Sequence, residues 1–292
     1  MRVQQSHPCW VCGSTATVLE RAGVRPDSIS PRDFRITDAA YGTTGDLYRC
    51  GSCGFRFCPG MSDVLSMYEQ MSDPEYDATR EARALQASKL LHAIARFRPT
   101  GRLLDVGAGS GILVERAAAM GYQASGVEPS KALQALAAQR GIPVLPGVLA
   151  DHTFEHGFDV VSLVDVIEHV ESPAVLVRES VSTLSEQGVL VVITPDVNSL
   201  MARMLGRRWW HFRIAHIGYF NRNTLSRLLE QEGLEVMSVT RPGWYFPASY
   251  LFERCMQYLP QRLRVPAPAF LNTITVPLNL FDSLMMVCRR RA

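Results

Sequence analysis

The sequence predicts an α/β fold, in which helices cover both faces of a parallel sheet and a small metal-binding module precedes it. Three observations lead to this prediction. Short apolar runs alternate with helical stretches from Arg102 onward. A glycine-rich loop at 107–111 lies between the first apolar run and the helix that follows it. Two Cys-x-x-Cys pairs, at 9–12 and 50–53, stand near the start of the chain.

The elements of the large domain follow from the spacing of its apolar residues. Buried strands of a parallel sheet are apolar on both faces, whereas a covering helix has one apolar face. These patterns predict strands at 103–106, 123–127, 158–164, 188–194, 234–240 and 283–289. They predict helices at 112–120, 130–140, 172–185 and 222–231. Strands and helices that alternate in this way form a sheet covered on both faces.

The first third of the chain has a different character. Residues 1–60 hold five cysteines and many turn formers, and two helices are expected after them, around 62–70 and 79–97. A Pro-Thr-Gly sequence at 99–101 then interrupts the chain. We therefore expect a cysteine module at 1–60, a helical linker or lid at 61–98, and the large domain at 99–292.

Composition and charge limit the function. The chain has 292 residues, 47% of them apolar, with 30 basic and 28 acidic residues. A buried core is therefore expected, and nucleic acid is not the expected partner. The longest apolar stretch, 265–281, holds three prolines, so no membrane span is expected. Residues 1–10 are polar and show no export signal, which favours a cytoplasmic protein.

The two cysteine pairs predict a zinc site. Cys9, Cys12, Cys50 and Cys53 form two knuckles, each with a glycine after its second cysteine. The glycine permits the tight turn that aims both sulfurs at one ion, and four thiolates suit tetrahedral Zn²⁺. A disulfide pair and a redox-active Cys-x-x-Cys are the alternatives, but neither explains two matching knuckles. With four protein ligands, such a site would be structural.

The glycine loop predicts a site where the main chain approaches a ligand closely. Two ligand classes compete for it. Dinucleotide-binding loops have the pattern G-x-G-x-x-G, whereas residues 107–111 have G-x-G-x-G and Asp105 stands two positions before the first glycine. Glu128, after the next strand, is placed to accept both hydroxyls of a ribose in either class. The alternative is a glycine turn that only packs a helix on a strand.

The loop resembles motif I of the class I S-adenosylmethionine-dependent methyltransferases. The resemblance continues through segments 158–161, 165–170, 184–194, 194–200, 216–220 and 224–225. Together these segments are similar to the branch that includes the ubiquinone-biosynthesis O-methyltransferases and many bacterial sugar and natural-product methyltransferases. The likeness covers about 101–240 and the last strand.

The resemblance implies a Rossmann-like sheet of seven strands whose last strand is antiparallel. It also implies which residues bind S-adenosylmethionine, from its methionine end through ribose to adenine: Asp105, Gly107, Ala108, Gly109, Gly111, Glu128, Pro129, Val148 and Leu149. Asp165 would lie beside the sulfonium. Family members often carry an acid where this chain has Val148.

Transfer to a hydroxyl needs a group that accepts or loosens its proton. The candidate catalytic residues are His216, His169 and Asp165, with His211 as a further possible base. The spacing Asp165-x-x-Glu168-His169 also resembles the Glu-x-x-Glu-His cluster of ubiquinone-pathway and small-RNA 2′-O-methyltransferases, with aspartate in place of the first glutamate. In those families the cluster binds a divalent ion, helped in the RNA enzymes by a histidine that matches His216.

The cluster therefore has three interpretations. The resemblance implies a second metal site for Mg²⁺ or another divalent ion at Asp165, Glu168, His169 and His216. His216 as a plain base is an equal alternative. A structural role is the third, in which Glu168 and His169 only stabilise the loop after the strand.

An insertion at about 242–282 is expected to form a lid or wall of the acceptor site. It begins with aromatic residues, continues as an amphipathic stretch to Tyr258, and ends in a proline-rich apolar run. A dimer surface or contact with a lipid-linked acceptor is an alternative. Trp209, Trp210 and Trp244 are expected either to line the acceptor pocket or to be buried core aromatics.

The sequence therefore predicts an enzyme that methylates a small molecule, at a hydroxyl of a sugar or natural-product intermediate. An RNA methyltransferase that grips RNA with its zinc module is one alternative. A zinc-binding scaffold that keeps a cofactor fold without catalysis is the other. The near-neutral charge disfavours the first, and the intact glycine loop with Glu128 disfavours the second.

Overall fold

The computed structural model of the protein describes residues 7–24, 29–37, 41–61 and 63–291. The polar residues 1–6 and the predicted helix start at Ser62 lie outside these ranges. Within them, the strands are β1 Thr17–Arg21, β2 Leu47–Cys50, β3 Arg56–Phe57, β4 Gly101–Val106, β5 Tyr122–Glu128, β6 Val144–Pro146, β7 Phe158–Val164, β8 Leu184–Pro195, β9 Gly218–Tyr219, β10 Leu234–Thr240, β11 Trp244–Pro247, β12 Thr275–Leu278 and β13 Ser283–Arg290. The α-helices are α1 Val64–Gln70, α2 Pro74–Ala78, α3 Arg80–Ala95, α4 Ile112–Ala119, α5 Lys131–Gln139, α6 Pro173–Thr183, α7 Leu200–Leu205, α8 Arg222–Gln231 and α9 Ala248–Met256.

Seven strands form the central sheet in the spatial order β10-β13-β8-β7-β4-β5-β6. The pairs from β8 through β6 are parallel, while β13 runs antiparallel to both β8 and β10. The predicted seven-stranded sheet with an antiparallel last strand is therefore confirmed.

The sheet carries an apolar core on each face. In β8, Val191 joins the core on one face, and its neighbours Leu190 and Val192 join the core on the other. This explains why the strand is apolar without alternation, because a strand covered on both faces has no side that meets water. Helix α5 begins where predicted, since the Ser130 hydroxyl accepts a hydrogen bond from the Leu133 amide.

Several predicted boundaries are wrong. Strand β4 begins at Gly101 instead of residue 103, α3 ends at Ala95 instead of residue 97, and two further differences meet at one junction. Helix α6 ends at Thr183, two residues before the predicted end, and β8 begins at Leu184 instead of residue 188. The reason is that buried Leu184 pairs with Phe158 at the start of β7, four residues before the apolar run begins. Helix α2 was not predicted.

A second, four-stranded sheet has the order β1-β2-β3-β9. Its first three strands come from the cysteine module, and its fourth, β9, lies far along the chain. Arg56 of β3 pairs with Tyr219 of β9, and Phe57 pairs with Gly218. The cysteine module and the large domain therefore share one sheet.

The insertion forms a short hairpin and helix α9. Strands β11 and β12 pair antiparallel, and the Lys89 ammonium of α3 lies 5.3 Å from the Tyr245 ring centroid. Leu251 and Phe252 are half-buried on α9, whereas Phe270 is 66% exposed. No helix in the described ranges has the length and apolar character needed to cross a bilayer.

The three tryptophans have different surroundings. Trp209 is fully buried, and its indole N–H donates to Asp282 Oδ2 at 3.4 Å. It is therefore a core aromatic, as one of the two interpretations expected. Trp210 and Trp244 are half-buried, and the Trp244 indole donates to Ser283 Oγ at 3.0 Å.

Candidate cofactor and acceptor site

The glycine loop leaves β4 at its carboxyl end and leads into α4. Gly107, Gly109 and Gly111 have φ of +75°, +56° and +77°, in the region that side chains other than glycine seldom occupy. A Cβ at Gly107 would lie 2.6 Å from Val166 Cγ2, and one at Gly109 would lie 2.7 Å from the Tyr76 hydroxyl. Both the backbone conformation and the surroundings therefore require glycine here.

Glu128 ties this loop to the end of β5. Its carboxylate accepts from the Gly109 amide at 2.8 Å and from the Ser130 amide at 2.7 Å. Burial raises the pKa of the Glu128 carboxyl to about 7. The second acid that the sequence singled out thus lies against the loop, as the spacing predicted.

Asp105 lies two strand positions before the loop, in the middle of the sheet. Its Oδ1 accepts from the Ser162 hydroxyl at 2.7 Å. The pKa of Asp105 is raised to about 7, first by burial and then by the nearby Glu128 carboxylate. Two buried acids therefore flank the loop. A cation nearby would favour the ionised form of each carboxyl.

Tyr76 and Arg83 cover the loop from the helical linker. The Tyr76 hydroxyl lies above Gly109, and the Arg83 guanidinium lies 4.2 Å from the centroid of the Tyr76 ring. Neither residue was predicted as part of the site. The only sequence signal was Asp73-Pro74, a typical helix start that would have placed Tyr76 on a short helix.

Asp165 follows β7 with φ of +52°, which is unusual for aspartate. Its Oδ1 is buried and has no hydrogen-bond partner among the described residues. Burial raises the pKa of Asp165 to about 7, although the Arg83 guanidinium opposes that rise. A strained backbone with an unsatisfied buried acceptor is typical of a site that a ligand completes.

The residues proposed for the adenine side lie after β6. The Val148 amide donates to Asp151 Oδ2 at 2.8 Å. Leu149 is buried in the core, while Pro129 and Val148 are half-buried. The acid that many family members carry at position 148 is thus replaced, and Asp151 instead holds the turn.

Glu168, His169 and His216 form a compact group beyond Asp165. One ligand atom from each lies within 4.8 Å of the other two, and Asp165 is not among them. Glu168 Oε2 accepts from the Thr194 hydroxyl at 2.9 Å, and its buried Oε1 has no partner among the described residues. The structure brings three of the four residues of the predicted cluster together, and Asp165 is not part of that group.

Burial favours the neutral form of both histidines of the group. His169 Nδ1 lies 2.7 Å from the Ala215 carbonyl oxygen, which can only accept, so Nδ1 carries the proton and Nε2 keeps its lone pair. Burial lowers the pKa of His169 to about 3 and that of His216 well below its usual range. The Tyr68 hydroxyl, 2.6 Å from His169 Nδ1, is a further neighbour that the sequence did not indicate.

His211 and Asp282 lie behind His216. The rings of His211 and His216 stack with centroids 5.6 Å apart. His211 Nε2 lies 3.5 Å from Asp282 Oδ2, and this histidine lowers the pKa of the Asp282 carboxyl. The side of the site away from the glycine loop is therefore rich in imidazole.

The four predicted cysteines converge at the tip of the small sheet. Cys9 and Cys53 Sγ lie 3.6 Å apart, as do Cys12 and Cys50 Sγ, and one atom from each cysteine lies within 4.8 Å of the others. Sulfurs bound tetrahedrally at about 2.3 Å from Zn²⁺ would be about 3.8 Å apart. The Cys₄ cluster therefore has the geometry of a zinc site.

A seven-stranded sheet of this order, with a glycine loop after its first parallel strand and an acid after the next, is the arrangement of a class I S-adenosylmethionine-dependent methyltransferase domain. Comparison with known families gives the same result. The chain belongs to the methyltransferase-domain family, whose model matches residues 76–239, more than half of the chain.

The comparison with individual proteins is more distant. The ubiquinone biosynthesis O-methyltransferase of Xanthomonas axonopodis pv. citri is 30% identical over 144 residues, 44% of this chain and 59% of that protein. The protein of that name from a Caulobacter species is 32% identical over 119 residues, 35% of this chain and 47% of that protein. The chain thus spans about half the length of these relatives.

A solved structure with a similar fold is a complex of the Haloferax volcanii Trm112 methyltransferase activator and a methyltransferase. It superposes with a TM-score of 0.53 at 14% identity, covering 79% of this chain and 98% of that chain. At this identity the similarity concerns the fold alone.

Proposed function

We propose that the chain transfers a methyl group from S-adenosylmethionine to a hydroxyl of a small-molecule acceptor, such as a sugar or natural-product intermediate. One observation carries the proposal: the Glu168–His169–His216 group stands beyond Asp165, at the same edge of the sheet as the glycine loop. The loop suits a cationic nucleoside, and the group suits the removal of a hydroxyl proton.

The residues around the loop fit S-adenosylmethionine. Glycines at positive φ let the main chain approach the ligand, and the free amides at the start of α4 favour its carboxylate. Glu128 would accept from the ribose hydroxyls, and the unpaired Asp165 Oδ1 would face the positive sulfonium. Asp105 and Ala108 would lie at the methionine end, while Pro129, Val148 and Leu149 stay proposed contacts for ribose and adenine.

Methyl transfer requires mainly that the protein holds the methyl donor and the acceptor in the right positions. The acceptor oxygen attacks the methyl carbon opposite the sulfur, one C–O bond forms as the C–S bond breaks, and the sulfonium becomes a neutral thioether. Holding the two reactants in line contributes about 7–11 kcal/mol to lowering such a barrier. Tyr76 and Arg83 cover the loop, which favours the exclusion of water.

The acceptor proton has two proposed fates. The Glu168–His169–His216 group fits a divalent ion, because Glu168 Oε1 has no hydrogen-bond partner among the described residues. The Ala215 carbonyl holds the proton on His169 Nδ1, which leaves the Nε2 lone pair available. Bound there, Mg²⁺ or another divalent ion would make the acceptor hydroxyl more acidic. Alternatively His216, buried and neutral, takes the proton as a general base.

We also propose structural Zn²⁺ at Cys9, Cys12, Cys50 and Cys53. The division at about residues 60 and 98, the role of 242–282 as an acceptor-site wall, and a cytoplasmic location stay predictions from the sequence. Contact with a lipid-linked acceptor stays a prediction as well.

Cofactor binding is tested by calorimetry with S-adenosylmethionine and S-adenosylhomocysteine. Gly109→Arg should abolish binding, because its side chain would enter the space between the loop and Tyr76. The matched control is Gly141→Arg, which has a similar φ of +66° but open space around its Cβ. Binding that survives in Gly109→Arg would refute the placement of the cofactor.

The acceptor class is tested with labelled S-adenosylmethionine and separate pools of phenols, saccharides, polyols and RNA. Label in a small-molecule pool is expected, and label in RNA alone would contradict the proposal. A fully loaded enzyme that methylates nothing would favour the non-catalytic scaffold.

The fate of the proton is tested on protein that keeps its zinc. If activity is lost on chelation and returns with Mg²⁺ or Mn²⁺, the ion is required; if chelation has no effect, His216 is left as the base. His169→Ala should be inactive under the first mechanism, with exposed His156→Ala as its control.

A further inference from the structure

The zinc module and the proposed acceptor site are joined through strand β9. This strand begins two residues after His216 and pairs with β3, which follows the second cysteine knuckle. We infer that the four-cysteine module is a positioning element of the acceptor site, in which zinc ligation fixes β3, β3 fixes β9, and β9 fixes Glu168 and His216. The inference rests on the proposed function in one respect: that function makes the Glu168–His169–His216 group the acceptor side.

Three backbone hydrogen bonds, joined by the short chain segment from Phe55 to Cys58, support this link. The Cys50 amide, on a zinc-ligand residue, donates to the Phe55 carbonyl at 2.9 Å. The Cys58 amide, just past β3, donates to the Ile217 carbonyl at 2.8 Å, and the Ile217 amide donates to the Glu168 carbonyl at 2.9 Å. Only a few hydrogen bonds thus separate the four-cysteine site from Glu168.

Side-chain packing also connects the cysteine module to Glu168. Phe55 is fully buried, and its ring lies 4.8 Å from that of Phe220, centroid to centroid. A Cβ at Gly218 would lie 3.5 Å from the Phe55 ring and 3.7 Å from Glu168 Cα. Gly218 is therefore packed between the module and the acceptor group, so a shift of Phe55 would reach Glu168.

The long segment between the two knuckles contributes a second set of contacts. The Arg213 guanidinium donates to the Ile36 carbonyl at 3.1 Å, and the Gly42 amide donates to the Phe212 carbonyl at 2.7 Å. Both contacts hold the chain just before His216. The segment between the two knuckles therefore also supports the acceptor side.

The first two amides of the cofactor loop are held within the large sheet. The Gly107 and Ala108 amides both donate to the Val127 carbonyl, at 2.8 and 3.0 Å, inside the seven-stranded sheet. Strands β3 and β9 have only two residues each and cannot persist alone. Loss of zinc should therefore loosen the acceptor side and leave the cofactor side in place.

The experiment removes zinc from the whole protein and follows amide hydrogen exchange. A mercurial reagent that attacks thiolates, but not carboxylate or imidazole ligands, displaces the zinc. It is used in a Cys255→Ser background because Cys255 is an exposed cysteine. After zinc release, the Ile217 and Cys58 amides should exchange about tenfold faster or more. The Gly107 and Ala108 amides and the affinity for S-adenosylhomocysteine should change less than about twofold, and thiol plus Zn²⁺ should restore the original rates.

A second variant tests the link without touching the thiolates. Phe55→Leu should keep its zinc yet speed exchange at Ile217, whereas the control Phe154→Leu, half-buried on the large domain, should not. Unchanged exchange at Ile217 after zinc release would overturn the inference. Equal acceleration at Gly107 would overturn it too, because the effect would then be global unfolding. Neither readout uses an acceptor, so a wrong proposed function would appear separately, as absent cofactor binding or methyl transfer.

Discussion

Replacing Gly109 with alanine tests the reasoning about the loop most directly. The substitution adds a single methyl group at φ of +56°. The left-handed backbone costs about 1–2 kcal/mol for an L-residue. The new Cβ would also lie 2.7 Å from the Tyr76 hydroxyl. Such overpacking adds a cost of about 1–3 kcal/mol. Gly109→Ala should therefore lower the free energy of unfolding by about 2–5 kcal/mol.

Two matched variants separate the two costs. Gly141→Ala has φ of +66° and open space, so it should show the backbone cost alone. In a Tyr76→Phe background the hydroxyl is gone and the nearest ring carbon is 3.3 Å from the new Cβ, so Gly109→Ala should cost less than in wild type and approach the cost of Gly141→Ala. Urea unfolding, followed by tryptophan fluorescence with zinc present, gives the three free energies. If Gly109→Ala and Gly141→Ala cost the same in the wild-type background, Tyr76 does not cover the loop as described.

Three further predictions concern the charged groups. Burial raises the pKa of Glu128 to about 7, so between about pH 5 and 7 the folded protein holds a proton that the unfolded chain has released. The ligand-free protein should accordingly lose up to about 3 kcal/mol of stability from pH 5 to 8 through this group. Urea unfolding should show a loss smaller by about that amount in Glu128→Gln than in wild type, because Asp105 and Asp165, whose pKa values are also raised to about 7, contribute in both proteins. Asp165→Asn should weaken S-adenosylmethionine about tenfold more than uncharged S-adenosylhomocysteine, as calorimetry would show; an equal loss for both ligands would place Asp165 away from the sulfonium. Elemental analysis should find about one zinc per chain, and less than half in Cys12→Ser.

Much of the sheet could be predicted because burial on both faces leaves a strong signal. The bounds of β7, α8 and β10 agree with the predicted ranges at every residue. Strand β9 left no signal, since two residues cannot show a period. Its existence depends on β3, which lies about 160 residues earlier in the chain, and such pairing cannot be read from local spacing.

The sequence likewise predicted one part of the candidate site and missed another. The loop and Glu128 were predictable because their spacing follows from one strand–turn–helix unit and the strand after it. Tyr76 and Arg83 were missed because they reach the loop from the helical linker through tertiary contacts. Asp165 was expected both beside the sulfonium and in the metal group, and it is not among the residues whose ligand atoms come together there. No residue pattern indicated its left-handed backbone.

The two halves of the site differ in what holds them. The cofactor half is part of the seven-stranded sheet, whose hydrogen bonds reach the Gly107 and Ala108 amides. In the acceptor half, Glu168 and His169 follow β7, whereas His216 lies on the connection between β8 and α8, which has one short α-helix and a two-residue strand of its own. The β8–α8 connection has little regular structure of its own and depends on its neighbours for its position, and the cysteine module contacts it through β3 and β9. Damage to the two halves should therefore be separable: substitutions in the glycine loop should weaken cofactor binding while Ile217 stays protected from exchange, and zinc loss should do the reverse.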